Sequence, residues 1–173
     1  MDEFIQLLLS DERNPDIPEE DDFFGKLIGE WDFDMLAEPN TETEHHIHGE
    51  WIFQRTLEGM AVQDIFICPA RGERKNGGEY GTTVRYYNKE TRAWDISYSC
   101  GMGTAVLEAR KVGDNIVLTE TSKKLLKWTF SNISENSFNW TSTEQFGDKI
   151  KTYCIISAVR RVSDDVYNNC SQI

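Results

Sequence analysis

The chain has 173 residues, a size that supports one hydrophobic core with short appendages. Eighteen basic residues against thirty acidic ones give a net charge of −12. That balance argues against nucleic acid as a main partner and against anionic membrane surfaces, since both require a basic face. Five Trp, six Tyr and nine Phe are too many for a disordered acidic chain, and no apolar run approaches the ~18 residues of a membrane-spanning helix. The composition describes a soluble, aromatic-rich globular protein, and it contains no catalytic signature.

Residues 1–16 begin with Phe4-Ile5-Gln6-Leu7-Leu8-Leu9 between acidic flanks and read as an amphipathic, loosely docked arm. The apolar part is short and lacks a basic lead, so a secretory signal is not expected and the cytoplasm is the expected compartment. In that compartment Cys68, Cys100, Cys154 and Cys170 are expected to be free thiols rather than disulfides. The formal glycosylation sequons at Asn132, Asn139 and Asn169 then carry no meaning. Asp16 is placed to cap a short helix with Pro18 in its first turn, and Phe23, Phe24, Leu27 and Ile28 recur at helical spacing before Gly29 ends it.

From Trp31 to Arg161 turn signals recur about every ten residues. They bound strands near 30–38, 43–57, 60–68, 80–87, 92–99, 103–111, 115–121, 125–132, 136–144 and 149–161. Every connection is hairpin-length, so the predicted fold is all-β, an antiparallel up-and-down β-barrel of about ten strands with a short N-terminal helix. Closure removes the exposed edges of such a meander. The barrel domain spans 17–161, and 162–173 form a polar tail.

Registers inferred from the turns place Trp94, Ile96, Tyr98, Val106, Ile116, Leu118, Leu126, Trp128, Phe130, Phe138 and Trp140 on one face. Asp95, Ser97, Ser99, Lys127, Thr129, Ser131 and Asn139 fall on the other, which marks the first set as interior. The same registers put Glu108 and Glu120 on the aromatic face. Asp64 shares a face with Val62 and Phe66, and the hairpin between 68 and 80 brings Arg85 near it. Such a polar cluster either orients the head group of a ligand or is an ion pair that fixes sheet register. Trp-rich walls suit a cavity better than a filled small barrel, which more often uses Val, Leu and Ile.

His45-His46-Ile47-His48 holds all three histidines. On a strand His46 and His48 face the same way, ~6.5 Å apart. A cupin-type metal set would need an acid where Ile52 and Phe53 stand and a second His-bearing motif, so solvent-facing residues are expected and no metal site is assigned. Gly101-Met102-Gly103 is a turn rather than a phosphate loop, because no helix follows it.

The pieces Gly29-Glu30-Trp31, Gly49-Glu50-Trp51-Ile52-Phe53, Leu57-Glu58-Gly59-Met60-Ala61-Val62-Gln63-Asp64, Gly81-Thr82-Thr83-Val84-Arg85-Tyr86-Tyr87, Ala93-Trp94, Trp128-Thr129-Phe130-Ser131 and Ser137-Phe138-Asn139-Trp140 together resemble a bacterial family of lipocalin-like (calycin-type) β-barrels of unknown function. The resemblance spans about residues 24–161. It implies a ten-stranded antiparallel barrel with an interior cavity and implies no reaction. The calycin superfamily includes barrels that hold haem through a proximal His; here the only histidines lie at 45–48, and no cofactor is assigned.

The leading expectation is a cytoplasmic binding module for a small, largely apolar molecule, working as a monomer or homodimer. Trp51, Phe53, Trp94, Tyr98, Trp128 and Trp140 would form walls, and Asp64, Arg85 and Glu108 would orient the polar end. The alternative is a barrel enzyme of isomerase, cyclase or hydratase type, using Glu108 or Glu120 as general acid or base. A third possibility is a structural protein with a filled barrel.

Overall fold

The structure, a computed structural model, describes residues 2–75 and 77–162. Ten strands close into one antiparallel barrel: β1 (Gly29–Ala37), β2 (His45–Thr56), β3 (Ala61–Cys68), β4 (Glu79–Asn88), β5 (Ala93–Cys100), β6 (Gly103–Val112), β7 (Asn115–Glu120), β8 (Leu126–Ser131), β9 (Ser137–Phe146) and β10 (Lys149–Arg160). Each strand pairs with its neighbours in sequence, and β1 pairs with β10 to complete the ring. The predicted meander is therefore the observed one, because short turns leave each strand no partner nearer than the one just made.

The strands alternate as a barrel demands. Trp31 and Phe33 of β1 are buried while Glu30 and Asp32 are exposed, and Ile156 and Ala158 of β10 are buried while Ile155, Ser157 and Val159 are exposed. Close packing needs one glycine in the wall. A Cβ on Gly49 would lie 2.0 Å from the Phe33 ring, so glycine here lets that ring lie flat against β2.

Three expected registers shift. The β5–β6 turn holds only Gly101 and Met102, with Cys100 paired to Gly103, and the β6–β7 turn holds only Gly113 and Asp114, with Val112 paired to Asn115. Two-residue loops are the favoured hairpin connections, and each moves β6 by one residue from the register assumed above. One residue reverses every side chain on the strand. Leu107 and Ala109 point inward, and Val106, Glu108 and Arg110 point outward. The β8–β9 hairpin pairs Phe130 with Trp140, two residues from the Phe130–Phe138 register that a turn centred at Ser134 would set, so its facing is unchanged.

One end of the barrel is plugged. In place of the single helix expected at 17–28 there are two 3-10 turns, Glu19–Asp21 and Phe23–Leu27. Three residues per turn place Phe24 directly over Leu27. Both are fully buried, as is Ile17. The plug is pinned by Trp31 Nε1 donating to Leu27 O (2.8 Å), Trp94 Nε1 to Asp21 O (2.8 Å), Tyr87 OH to Asp21 Oδ2 (2.6 Å) and Arg55 to both oxygens of Asp22 (3.1 and 2.6 Å). The N-terminal arm carries a short helix, α1 (Glu3–Leu8), with no buried residue. It is attached by a bridge between Leu9 and Thr56 and by hydrogen bonds from Ser10 N to Arg55 O and from Leu57 N to Leu8 O, each 3.0 Å. Cys68 is buried, Cys100 and Cys154 are half-buried, and all three are free; Cys170 and nearly all of the polar tail lie outside the described residues. No helix among the described residues is long and apolar enough to cross a membrane.

Candidate functional site

The barrel interior divides into two halves. Next to the plug it is solid. Trp51 sits at its centre, with ring centroids 5.0–6.2 Å from Phe33, Phe53, Phe66, Phe130, Phe138 and Trp140. Toward the opposite end the rings part around a cavity of about 330 Å³, at the lower limit of small-molecule pockets. Trp51, Phe130 and Arg85 border its floor, Leu118, Phe66, Trp128, Trp140 and Cys154 its sides, and Glu79, Tyr98 and Cys100 its upper wall. It reaches the surface at the β5–β6 turn, where Met102, Gly103 and Thr104 line it and are exposed. A bulge in β10 between Thr152 and Cys154 turns Cys154 inward beside Ser142, and both line the cavity.

Five of the residues expected at the site meet here: Trp51, Arg85, Tyr98, Trp128 and Trp140. The others fall elsewhere. Phe53 is packed below the floor, 1% exposed. Trp94 is fully buried in the plug layer, edge-on to Phe24 at 5.2 Å. Glu108 is a correction: the two-residue turns put it on the outer surface, paired with Arg110 at 2.7 Å. Glu120 is on the inner side of β7, opposite Leu107, but it accepts from Ser122 (2.6 Å) and does not line the cavity. The carboxylates assigned to an enzyme reaction are thus both absent from it.

Asp64 and Arg85 do meet, completely buried beneath the floor, with Arg85 Nη2 donating to Asp64 Oδ2 at 2.5 Å. Trp51 Nε1 donates to the same oxygen (2.7 Å), and the Thr83 amide donates to Oδ1 (2.8 Å). The Arg85 guanidinium lies 5.1 Å from the centroids of both Phe24 and Phe53, a cation–π sandwich. Its Nε and Nη1 are buried and have no hydrogen-bond partner among the described residues. This arrangement matches the ion pair that fixes register, since it ties β3 to β4 and to Trp51 of β2.

Besides Arg85, which is ion-paired with Asp64, the cavity is lined by a second charged group, Glu79, which the predicted start of β4 at residue 80 excludes. Strand parity is the signal that identifies it: Glu79, Gly81, Thr83 and Arg85 share a face, and Arg85 was already placed inward. The Tyr98 hydroxyl donates to Glu79 Oε1. Gly81 permits this contact, because a Cβ there would lie 2.9 Å from Tyr98 Cε2 and 3.0 Å from its hydroxyl. Burial raises the Glu79 carboxyl above its ordinary value, against the pull of the Tyr98 hydroxyl and with help from the Asp64 charge. Burial also raises the Tyr98 phenol, with Cys100 and Glu79 adding to the effect. It pushes the Cys154 thiol up to about 12 and the Cys68 thiol up to about 11, so neither is a ready nucleophile.

The histidines lie outside the barrel. His46 Nδ1 is 2.6 Å and His48 Nε2 3.3 Å from opposite oxygens of Asp34, with all three side chains well exposed. Among the described residues no three His, Cys, Asp or Glu side chains are grouped to hold a metal ion.

The chain matches no protein-family model and no curated protein sequence. Its fold is similar to solved structures. Rv2717c from M. tuberculosis superposes with a TM-score of 0.58 at 12% identity, covering 87% of this chain and 100% of the other. The S-type phycobiliprotein lyase CPES from Guillardia theta superposes with a TM-score of 0.60 at 14% identity, covering 86% and 96%. At these identities the likeness is one of fold, and it fits a lipocalin-like barrel.

Proposed function

We propose that this barrel is a binding protein that holds one small, largely apolar molecule in its upper cavity. The observation that carries the reading is the cavity itself: about 330 Å³, walled chiefly by aromatic and aliphatic side chains, sealed by the plug at one end and open at the other. Flat rings bury a large apolar area without filling the lumen. Trp51, Trp128, Trp140 and Tyr98 form the walls, Phe53 supports Trp51 from below, and Trp94 lies deeper in the plug layer. Asp64 and Arg85 hold the floor in place rather than touching the ligand. On this reading the chain is a member of the bacterial lipocalin-like group that its sequence resembles. It works in the cytoplasm as a monomer or homodimer, and its partner is a small molecule rather than nucleic acid or a membrane. That a lyase uses a similar barrel supports the scaffold's suitability for ligands by analogy alone.

The test is titration with the neutral fluorophore N-phenyl-1-naphthylamine, monitored by quenching of tryptophan emission. Saturable binding at one site, weakened in a folded Trp128→Ala variant, is expected. A parent protein that binds no apolar probe overturns the reading and leaves a barrel whose role is structural.

A further inference from the structure

The cavity's charges do not balance. Arg85 on the floor is cancelled by its ion pair with Asp64, and its other two nitrogens are buried. Of the two charged groups that line the cavity, Glu79 is then the one without a counter-ion; among the described residues no Lys, Arg or His forms an ion pair with its carboxylate. The Arg74 guanidinium donates to the backbone carbonyl of Glu79 (2.9 Å) and lies over the Tyr80 ring (5.5 Å). The titratable groups around the carboxylate are Tyr98 and Cys100 of β5, Asp64 and Cys68 of β3, and Cys154 of β10. None of them supplies positive charge, and the cation on the cavity floor, Arg85, is paired with Asp64.

The carboxylate also stands at the rim of an aromatic box. Tyr98 is edge-on to Trp128 at 5.3 Å and 89°, and Trp128 is 5.8 Å from Trp140. A neutral ligand would cover Glu79 and strip it of water with nothing in return. An anion would be repelled by it. An ammonium group satisfies both features at once, by a charge-assisted hydrogen bond to the carboxylate and by attraction to the ring faces. The net charge of −12 raises the local concentration of cations further.

Building on the cavity as a binding site, we infer that its ligand is an amine: an apolar body seated against Leu118, Phe130 and Trp140, with an ammonium head between Glu79, Tyr98 and Trp128. The test compares three probes with one ring system, 1-naphthylmethylammonium, 1-naphthalenemethanol and 1-naphthoate, by calorimetry at pH 7.5 and low salt. The amine is expected to bind about tenfold more tightly than the alcohol, and the carboxylate most weakly. Glu79→Gln is expected to narrow the amine-to-alcohol ratio to about threefold. If that variant does not fold, the parent supplies the same comparison, because the ratio should shrink as acid protonates Glu79 while the amine stays charged. An alcohol that binds as well as the amine, a carboxylate that binds best, or a ratio indifferent to both Glu79→Gln and pH overturns the inference and leaves the cavity reading intact. Failure of all three probes together with the neutral fluorophore removes both.

Discussion

The Asp64 carboxylate accepts three hydrogen bonds and the Arg85 guanidinium donates one, and this asymmetry decides what each substitution costs. Removing either partner strands a buried charge, a loss of ~3–5 kcal/mol. Asp64→Leu leaves Arg85 with only the Phe24 and Phe53 rings. Arg85→Met leaves Asp64 the donors of Trp51 and Thr83. The double variant removes both charges, and its cost is expected to fall at least ~2 kcal/mol below the sum of the singles in urea denaturation; additive singles would show that the pair is not coupled. Glu50 is a second case, and its linkage to pH is direct. Hydrogen bonds from the Arg71 side chain, opposed by burial and helped by the Arg71 amide and by Arg161, hold its carboxyl at about 2 instead of 4.5. A depressed carboxyl stabilises the fold above its unfolded value and stops doing so as pH falls to the folded one. The contribution is about 1–2 kcal/mol after allowance for screening at the exposed Arg71. The urea midpoint of the parent should therefore exceed that of Glu50→Gln at pH 7, and the two should converge between about pH 4.5 and 2. A gap as wide at pH 2 as at pH 7 would mean that the difference does not arise from the ionised carboxylate.

At the scale of elements, the plug is the piece with the greatest leverage. Phe24 touches Trp94, Phe130 and the Arg85 guanidinium at once. Phe24→Ala should cost ~3–5 kcal/mol and let solvent reach Arg85, seen as a lower thermal midpoint with new binding of an apolar dye; an unchanged midpoint would mean the plug is only laid over the barrel. The plug was half legible in the sequence. Phe24 and Leu27 were, but Ile17 and the helix type were not, because Phe24 and Leu27 suit three residues per turn as well as 3.6. The strands were legible to within two residues, since Gly-bearing turns and period-two alternation are local signals. Facing on β6 was not legible, because it depends on whether a turn holds an odd or an even number of residues. Val106 and Glu108 were misplaced for that reason alone, and Glu79 was missed because β4 begins one residue earlier than its turn suggested. The Asp64–Arg85 pair was legible, because an inward acid on one strand of a hairpin calls for an inward base on the next.

At the scale of the molecule, the question is where the barrel stops being solid, which no local pattern reveals. It is settled by how Phe33 folds over Gly49, how Tyr98 folds over Gly81 and how the plug fills the far end. Trp140 stands on the boundary, 9% exposed, with one side on Trp51 and the other on the cavity. Trp140→Ala should therefore cost less than ~3 kcal/mol, below the range for a fully packed ring, while weakening capture of the neutral fluorophore. A loss of ~5 kcal/mol in chemical denaturation would mean that the space is filled in solution.

The pairing of β1 with β10 also sets an order of manufacture. Synthesis runs from the N-terminus, so Trp31 and Phe33 leave the ribosome before any residue of the strand that will cover their edge. Until Arg160 has emerged, the growing chain is an open sheet with an aromatic inner surface and two unpaired margins, the form most exposed to association with its neighbours. The joint that makes the finished ring edgeless is the last that can form, and the interval before it is when a nascent copy has most need of a chaperone.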